Sequence, residues 1–145
     1  MTIPTYRDEW SLLSMKPPNS EEIWMFRKNL GVSEISGHES LSTLVYFTVG
    51  FEPRDATGLP NPEDTKVLYD FEESVIPKIE EEARCILVAS VVKAGVKDHM
   101  FYASDPDSFI RAVNGHCQAL GNLKVSLEKH HDPNWEAFAD FPEGD

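Results

Sequence analysis

Two helix starts of the same design divide the chain. Asn61-Pro62-Glu63-Asp64 and Asp105-Pro106-Asp107 each set a capping side chain before a proline, with acids in the first turn. The cap accepts from an otherwise unpaired backbone N–H, proline there costs no hydrogen bond, and the carboxylates complement the positive end of the helix dipole. The segments around these starts read as the strands that the helices cover. Residues 43–51 (TLVYFTVGF) are β-branched and aromatic on both sides and predict a central strand. Residues 84–93 (RCILVASVVK) and 98–103 (DHMFYA) predict a hairpin about the turn at 94–97. Leu123, Val125 and Leu127 alternate with Lys124, Ser126 and Glu128, which predicts an edge strand with one wet face.

In the first helix Leu68, Phe71, Val75 and Ile79 form the apolar stripe, and Asp70, Glu73, Glu80 and Glu81 fall opposite. Pro77 interrupts this pattern and has to kink or break the helix. The second helix sets Phe109, Val113, Cys117 and Leu120 on one face, and Gly121 supplies its stop. Residues 23–26 are a short strand candidate, 28–40 and 52–60 read as loops, and 132–138 read as a capped turn anchoring Trp135 and Phe138.

The resulting order is β-β-α-β-β-α-β. Without its first strand it is βαββαβ, the split βαβ or ferredoxin-like α+β arrangement, an antiparallel sheet with both helices on one face. Residues 1–20 read as an N-terminal arm carrying Trp10, Leu12 and Leu13, and residues 21–145 as a single domain with an added N-terminal strand. The second sheet face is then open unless the arm or another chain covers it. Tyr46 and Tyr102 are the sheet-face candidates for contact with a partner.

The chain has 145 residues, enough for one core without a disulfide or metal, and 25 acidic against 13 basic side chains give a net charge of −12. That charge opposes a phosphate backbone, so no nucleic acid is expected. The longest apolar run, Cys85-Ile86-Leu87-Val88-Ala89, falls far short of the ~20 residues of a membrane span, and no apolar leader opens the chain. The expectation is a cytoplasmic protein whose two cysteines stay reduced.

The chemistry-bearing clusters are thin. His130 and His131 are strand neighbours pointing to opposite faces, so at most one could join a site with Asp132, His99 or His116. No nucleophile elbow, phosphate-binding glycine loop or separated carboxylate pair occurs. No catalytic residue, metal or cofactor is assigned.

Trp24, the strand from Tyr46 to Gly50 running into Thr57-Gly58-Leu59-Pro60, the helix with Leu68, Phe71 and Glu72, the hairpin ending in Phe101-Tyr102, and Asp132-Pro133-Asn134-Trp135 follow one another in a familiar order. In these residues, over about 22–141, the chain resembles the DUF695 family of bacterial domains of unknown function. Ala89–Val92 stand where that family usually shows a glycine–arginine pair. A more distant likeness, in fold type and C-terminal aromatic segment, is to the small acidic protein inhibitors of ribonuclease E, which act by binding an enzyme.

The function expected from charge is non-enzymatic binding of a basic protein by an inhibitor, adaptor or immunity-type module. Asp70, Glu73 and Glu81, with Tyr46 and Tyr102, are its contact residues. The competing expectations are a small hydrolase using His99, His130 or His131 as base, and a homo-oligomer, such as a homodimer, that binds a small ligand.

Overall fold

Both helix starts hold in the computed structural model, which describes residues 3–144. Asn61 Oδ1 accepts from the Asp64 N–H at 2.8 Å, and Asp105 Oδ1 from the Asp107 N–H at 3.0 Å. They open helices α1 (Pro62–Asp70) and α3 (Pro106–His116). Six strands form one sheet: β1 (Trp10–Met15), β2 (Trp24–Asn29), β3 (Thr43–Gly50), β4 (Cys85–Lys93), β5 (Val96–Ala103) and β6 (Lys124–His131). Their order is β1-β2-β4-β5-β3-β6, and every neighbouring pair is antiparallel.

The expected arm is part of the sheet. Residues 10–15 pair with β2 from Trp10↔Asn29 to Met15↔Trp24, which satisfies backbone groups that a free arm would leave to water. The expected loop at 28–40 begins inside β2 and continues as a 3₁₀ turn, Leu30–Ile35, capped by Asn29.

The second sheet face is not open. Val32, Ile35, Leu41, Leu44, Ile86, Val88, Met100, Tyr102, Trp135 and Phe138 form a core there, separate from the one beneath the helices. The 3₁₀ turn and the C-terminal segment with α4 (Glu136–Asp140) cover it, and Ile3 and Tyr6 of the first twenty residues pack against it, while Trp10 packs on the helix-covered side. Trp135 stacks on Tyr102 with ring centroids 4.1 Å apart and donates its Nε1–H to the Leu41 carbonyl at 2.8 Å. Aromatic groups of this size contribute more to a core than any other side chains.

Two local irregularities shape the helix-covered face. A bulge between Leu87 and Ala89 shifts the alternation of β4, so Cys85 and Leu87 face the helices before it, and Ser90 and Val92 after it. The helix after Pro62 does not run straight to Pro77. A π-helical turn, Phe71–Val75, joins α1 to α2 (Ile76–Ala83), and the Ile76 N–H reaches back five residues to the Phe71 carbonyl. Pro77 lacks an N–H and crowds the carbonyl four residues back, which a widened turn relieves.

Candidate functional site

Four charged or titratable side chains converge where this turn meets the sheet. In register, Arg27 on β2 lies opposite Ser90, and Ser90 opposite His99 on β5. Arg27 and His99 therefore share one row across the helix-covered face, and Lys97 lies on the same face two residues before His99. The π-helical turn lowers Glu72 onto them. Lys97 Nζ is 2.7 Å from Glu72 Oε1, Arg27 NH1 is 2.7 Å from Glu72 Oε2, and His99 Nε2 is 3.7 Å from Oε1. The Arg27 guanidinium also covers the Trp10 ring at 4.6 Å.

His99 is fully buried, and its Nδ1 lies 3.0 Å from the Phe47 carbonyl. A carbonyl only accepts, so Nδ1 carries the proton of the neutral ring and the Nε2 lone pair turns toward Glu72. The Lys97–Glu72 pair is close, but its angles are not those of a hydrogen bond. Glu72 Oε1 and His99 Nε2 both remain without a hydrogen-bond partner.

Electrostatics sort these groups clearly. Burial pushes the Glu72 pKa up, but the Lys97 ammonium, with His99 and Arg27, outweighs it and holds the carboxyl below its ordinary value. Burial, reinforced by Lys97, drives His99 down to about 4 against the opposing pull of Glu72. Near neutral pH the cluster is therefore two cations, one carboxylate and a neutral imidazole. Glu72 faces a cation at each oxygen, and His99 has no open path to solvent. The arrangement suits holding charge in place better than shuttling protons.

Arg27, Glu72 and Lys97 of this cluster form the floor of a cavity of about 740 Å³ between β1, β2 and α1. Leu12, Leu13, Met25, Phe26, Leu59, Leu68 and Val92 supply most of its wall, and Arg27, Glu72, Lys97, Arg54 and Glu73 its charge. Three cations against two carboxylates leave this cavity at +1, inside a chain of net charge −12. A smaller cavity of about 200 Å³, lined by Tyr6, Asp8, Trp10 and Glu80 among others, lies on the far side. Arg27 and Glu72 line both, so their ion pair is a partition between them.

The residues expected to contact a partner do not assemble into one site. Tyr102 is wholly buried under Trp135, and its hydroxyl donates to Asp132 Oδ2 at 2.7 Å, so it presents no surface. Tyr46 is half-buried and meets His130 edge-on at 5.9 Å. Asp70 is exposed and paired with Lys66 at 2.6 Å, Glu81 is exposed on α2, and Glu73 alone lines the cavities. Glu80, placed by periodicity on the wet side, turns inward to accept the Leu87 N–H at 3.0 Å, and burial raises its pKa. His130 contacts only exposed Glu128 among acids, at 3.1 Å, and no group of three or more His, Cys, Asp or Glu could hold a metal among the described residues.

Glu72, Lys97, Arg27 and Arg54 were not expected, though two carried a signal. Glu72 lies four residues after Leu68 and four before Ile76, inside the apolar stripe. Lys97 and His99 alternate with Phe101 on the apolar side of β5. A charge repeated on an apolar face marks a buried polar site more strongly than a charge run does.

The family of unknown function DUF695 matches residues 8–141. The chain belongs to this family. The match takes in every strand and helix described above and the whole wall of the larger cavity. No curated protein and no solved structure matches the chain. Among the described residues, no helix is long and apolar enough to cross a membrane.

Proposed function

We propose that this DUF695 protein binds a small amphipathic anion in the cavity between β1, β2 and α1. The observation that carries the reading is an apolar wall closed at its floor by Arg27, Glu72 and Lys97. Apolar lining with a few convergent polar groups is the ordinary composition of a small-molecule site, and a volume of about 740 Å³ is of the size such molecules need. The fixed Arg27–Glu72–Lys97 pairing leaves one cation in excess, which favours a ligand bearing one negative group and an apolar tail. The surrounding acidic surface disfavours polyanions. The reading fits a binding protein rather than a hydrolase, because neither Glu72 nor His99 is free to exchange a proton with bound water.

A naphthalene sulfonate dye, which pairs fused apolar rings with an anion, tests the site. The dye should bind saturably to the folded protein and be displaced by decanoate but not by decyltrimethylammonium. Met25→Trp, which fills the mouth, should abolish both effects. Equal displacement by the cationic detergent, or none by either, contradicts the reading.

A second reading, docking of a basic protein, draws support from the apolar groups around the mouth. Leu12 is 70% exposed and Tyr69 59% exposed, and Asp70 and Glu73 follow Tyr69 one and four residues on. Capture of a partner at low salt that is lost at high salt is its expected signature. On the fold, we read the order β4-β5-β3-β6 with its two helical crossovers as the split βαβ, ferredoxin-like arrangement, extended at one edge by β2 and β1. A cytoplasmic location is the matching reading for two free cysteines, one of them buried.

A further inference from the structure

The two edges of the sheet are finished differently. Along β1 the C-terminal segment lies close: the Gly144 N–H donates to Ser11 Oγ at 2.6 Å, and Gly144 has no room for a side chain against the Leu12 carbonyl. Along β6, among the described residues, nothing pairs on the outer side, and all eight residues are exposed. An unprotected edge strand of this length is a template for another strand.

The register shows which backbone groups are free. β6 pairs with β3 from Thr43↔His131 to Gly50↔Lys124, and just past that end the Asp132 N–H donates to the Ser42 carbonyl at 2.9 Å. Backbone groups alternate sides along a strand, so the even-numbered residues of β6 bond to β3 and the odd-numbered ones point outward. Two copies meeting antiparallel must therefore join Val125, Leu127 and Lys129 to one another. That requirement admits only two-fold axes passing through a residue.

Side chains choose among these axes. About Ser126, Lys124 falls opposite Glu128 of the second copy, twice, and Val125 opposite Leu127, twice. Val125 and Leu127 are 41% and 37% exposed and lie on the helix-covered side, where pairing closes them against each other. An axis at Glu128 sets two glutamates face to face, one at Leu127 sets Val125 against Lys129, and one at Val125 leaves Lys124 opposite serine. Only the Ser126 axis matches both charge and apolarity. Opposite charges directly across a strand pair stabilise it and like charges oppose it.

We propose that this protein forms a two-fold homodimer by antiparallel pairing of β6 with β6 of a second copy, centred on Ser126, which makes one continuous sheet through both chains. The contact is short by the standard of stable interfaces, so the dimer dissociates in the micromolar range. It is independent of the cavity reading, since no β6 residue lines either cavity.

Size-exclusion chromatography with light scattering, from low to high micromolar protein, should give a mass rising toward two chains. Lys124→Glu and Glu128→Lys should each hold the mass at one chain, and the double reversal should restore the dimer. In a Cys117→Ser background, Ser126→Cys should oxidise to a disulfide-linked dimer, because the two positions face each other across the axis, whereas Glu128→Cys should not. A mass of one chain at every concentration, or a dimer unmoved by either single reversal, overturns the proposal.

Discussion

Glu72 and Lys97 meet at 2.7 Å from opposite layers of the fold, one on a π-helical turn and the other on a strand, with side chains 8% and 10% exposed. A pair this deep is costly to break from one side, because the remaining charge keeps its burial and loses its partner. Lys97→Met should destabilise the protein by about 3 kcal/mol in urea unfolding. Glu72→Gln should cost at least as much, because it leaves the buried Lys97 ammonium with no carboxylate, whereas after Lys97→Met the Glu72 carboxylate keeps Arg27. The double variant should recover part of the loss, giving a coupling on the order of 1–3 kcal/mol. Strictly additive losses would show that the two charges do not support each other.

His99 makes stability depend on pH with a definite sign. Its folded pKa, about 4, lies below the ordinary 6.5, so the unfolded chain binds the proton more readily. Stability is fully present above about pH 6.5 and is lost as pH falls toward 4, to a total on the order of 3 kcal/mol. Glu72, also depressed, adds its loss below its ordinary value of 4.5. Thermal unfolding at steps between pH 7.5 and 5 should show the slope in wild type, and His99→Gln should flatten it. An unchanged slope in the variant would assign the dependence elsewhere.

One hydroxyl ties the start of the C-terminal segment to the sheet. Tyr102 donates to Asp132, whose carboxylate also accepts the Glu136 and Ala137 N–H groups at 3.0 and 3.1 Å. Burial would raise the Asp132 pKa, but these donors outweigh it and keep the carboxyl below its ordinary value. Tyr102→Phe should cost about 1–2 kcal/mol and speed proteolytic removal of residues after Asp132 while the sheet stays folded. Resistance equal to wild type would mean that the segment's other contacts, the Trp135 stack among them, secure it without this hydroxyl.

Local chemistry made the frame legible: capped prolines at 62 and 105, alternation in residues 43–51, and a glycine stop at 121 each act within a few residues. Three other features act across the fold instead. The bulge at Val88 changes which side of β4 faces the helices, and alternation read through it assigns Ser90 and Val92 to the wrong face. The π-helical turn is visible as a proline problem at Pro77, but nothing local says that it will lower Glu72 onto Lys97. The covering of the second face depends on Trp135 finding Tyr102 across thirty-odd residues, which the aromatic content of the tail suggests and its order does not specify. The acids at Asp70, Glu73 and Glu81 were legible as charge, and charge alone does not gather them.

The central claim is that an apolar cavity floored by Arg27, Glu72 and Lys97 takes an amphipathic anion, and its most direct test is location. In a titration of the isotope-labelled protein with decanoate, followed by amide and methyl chemical shifts, saturable changes should gather on Leu13, Met25, Leu68, Val92 and Lys97. The outer residues of β6 should stay still. Shifts scattered over the surface, or absent at these five positions at the highest soluble concentration, would contradict the account.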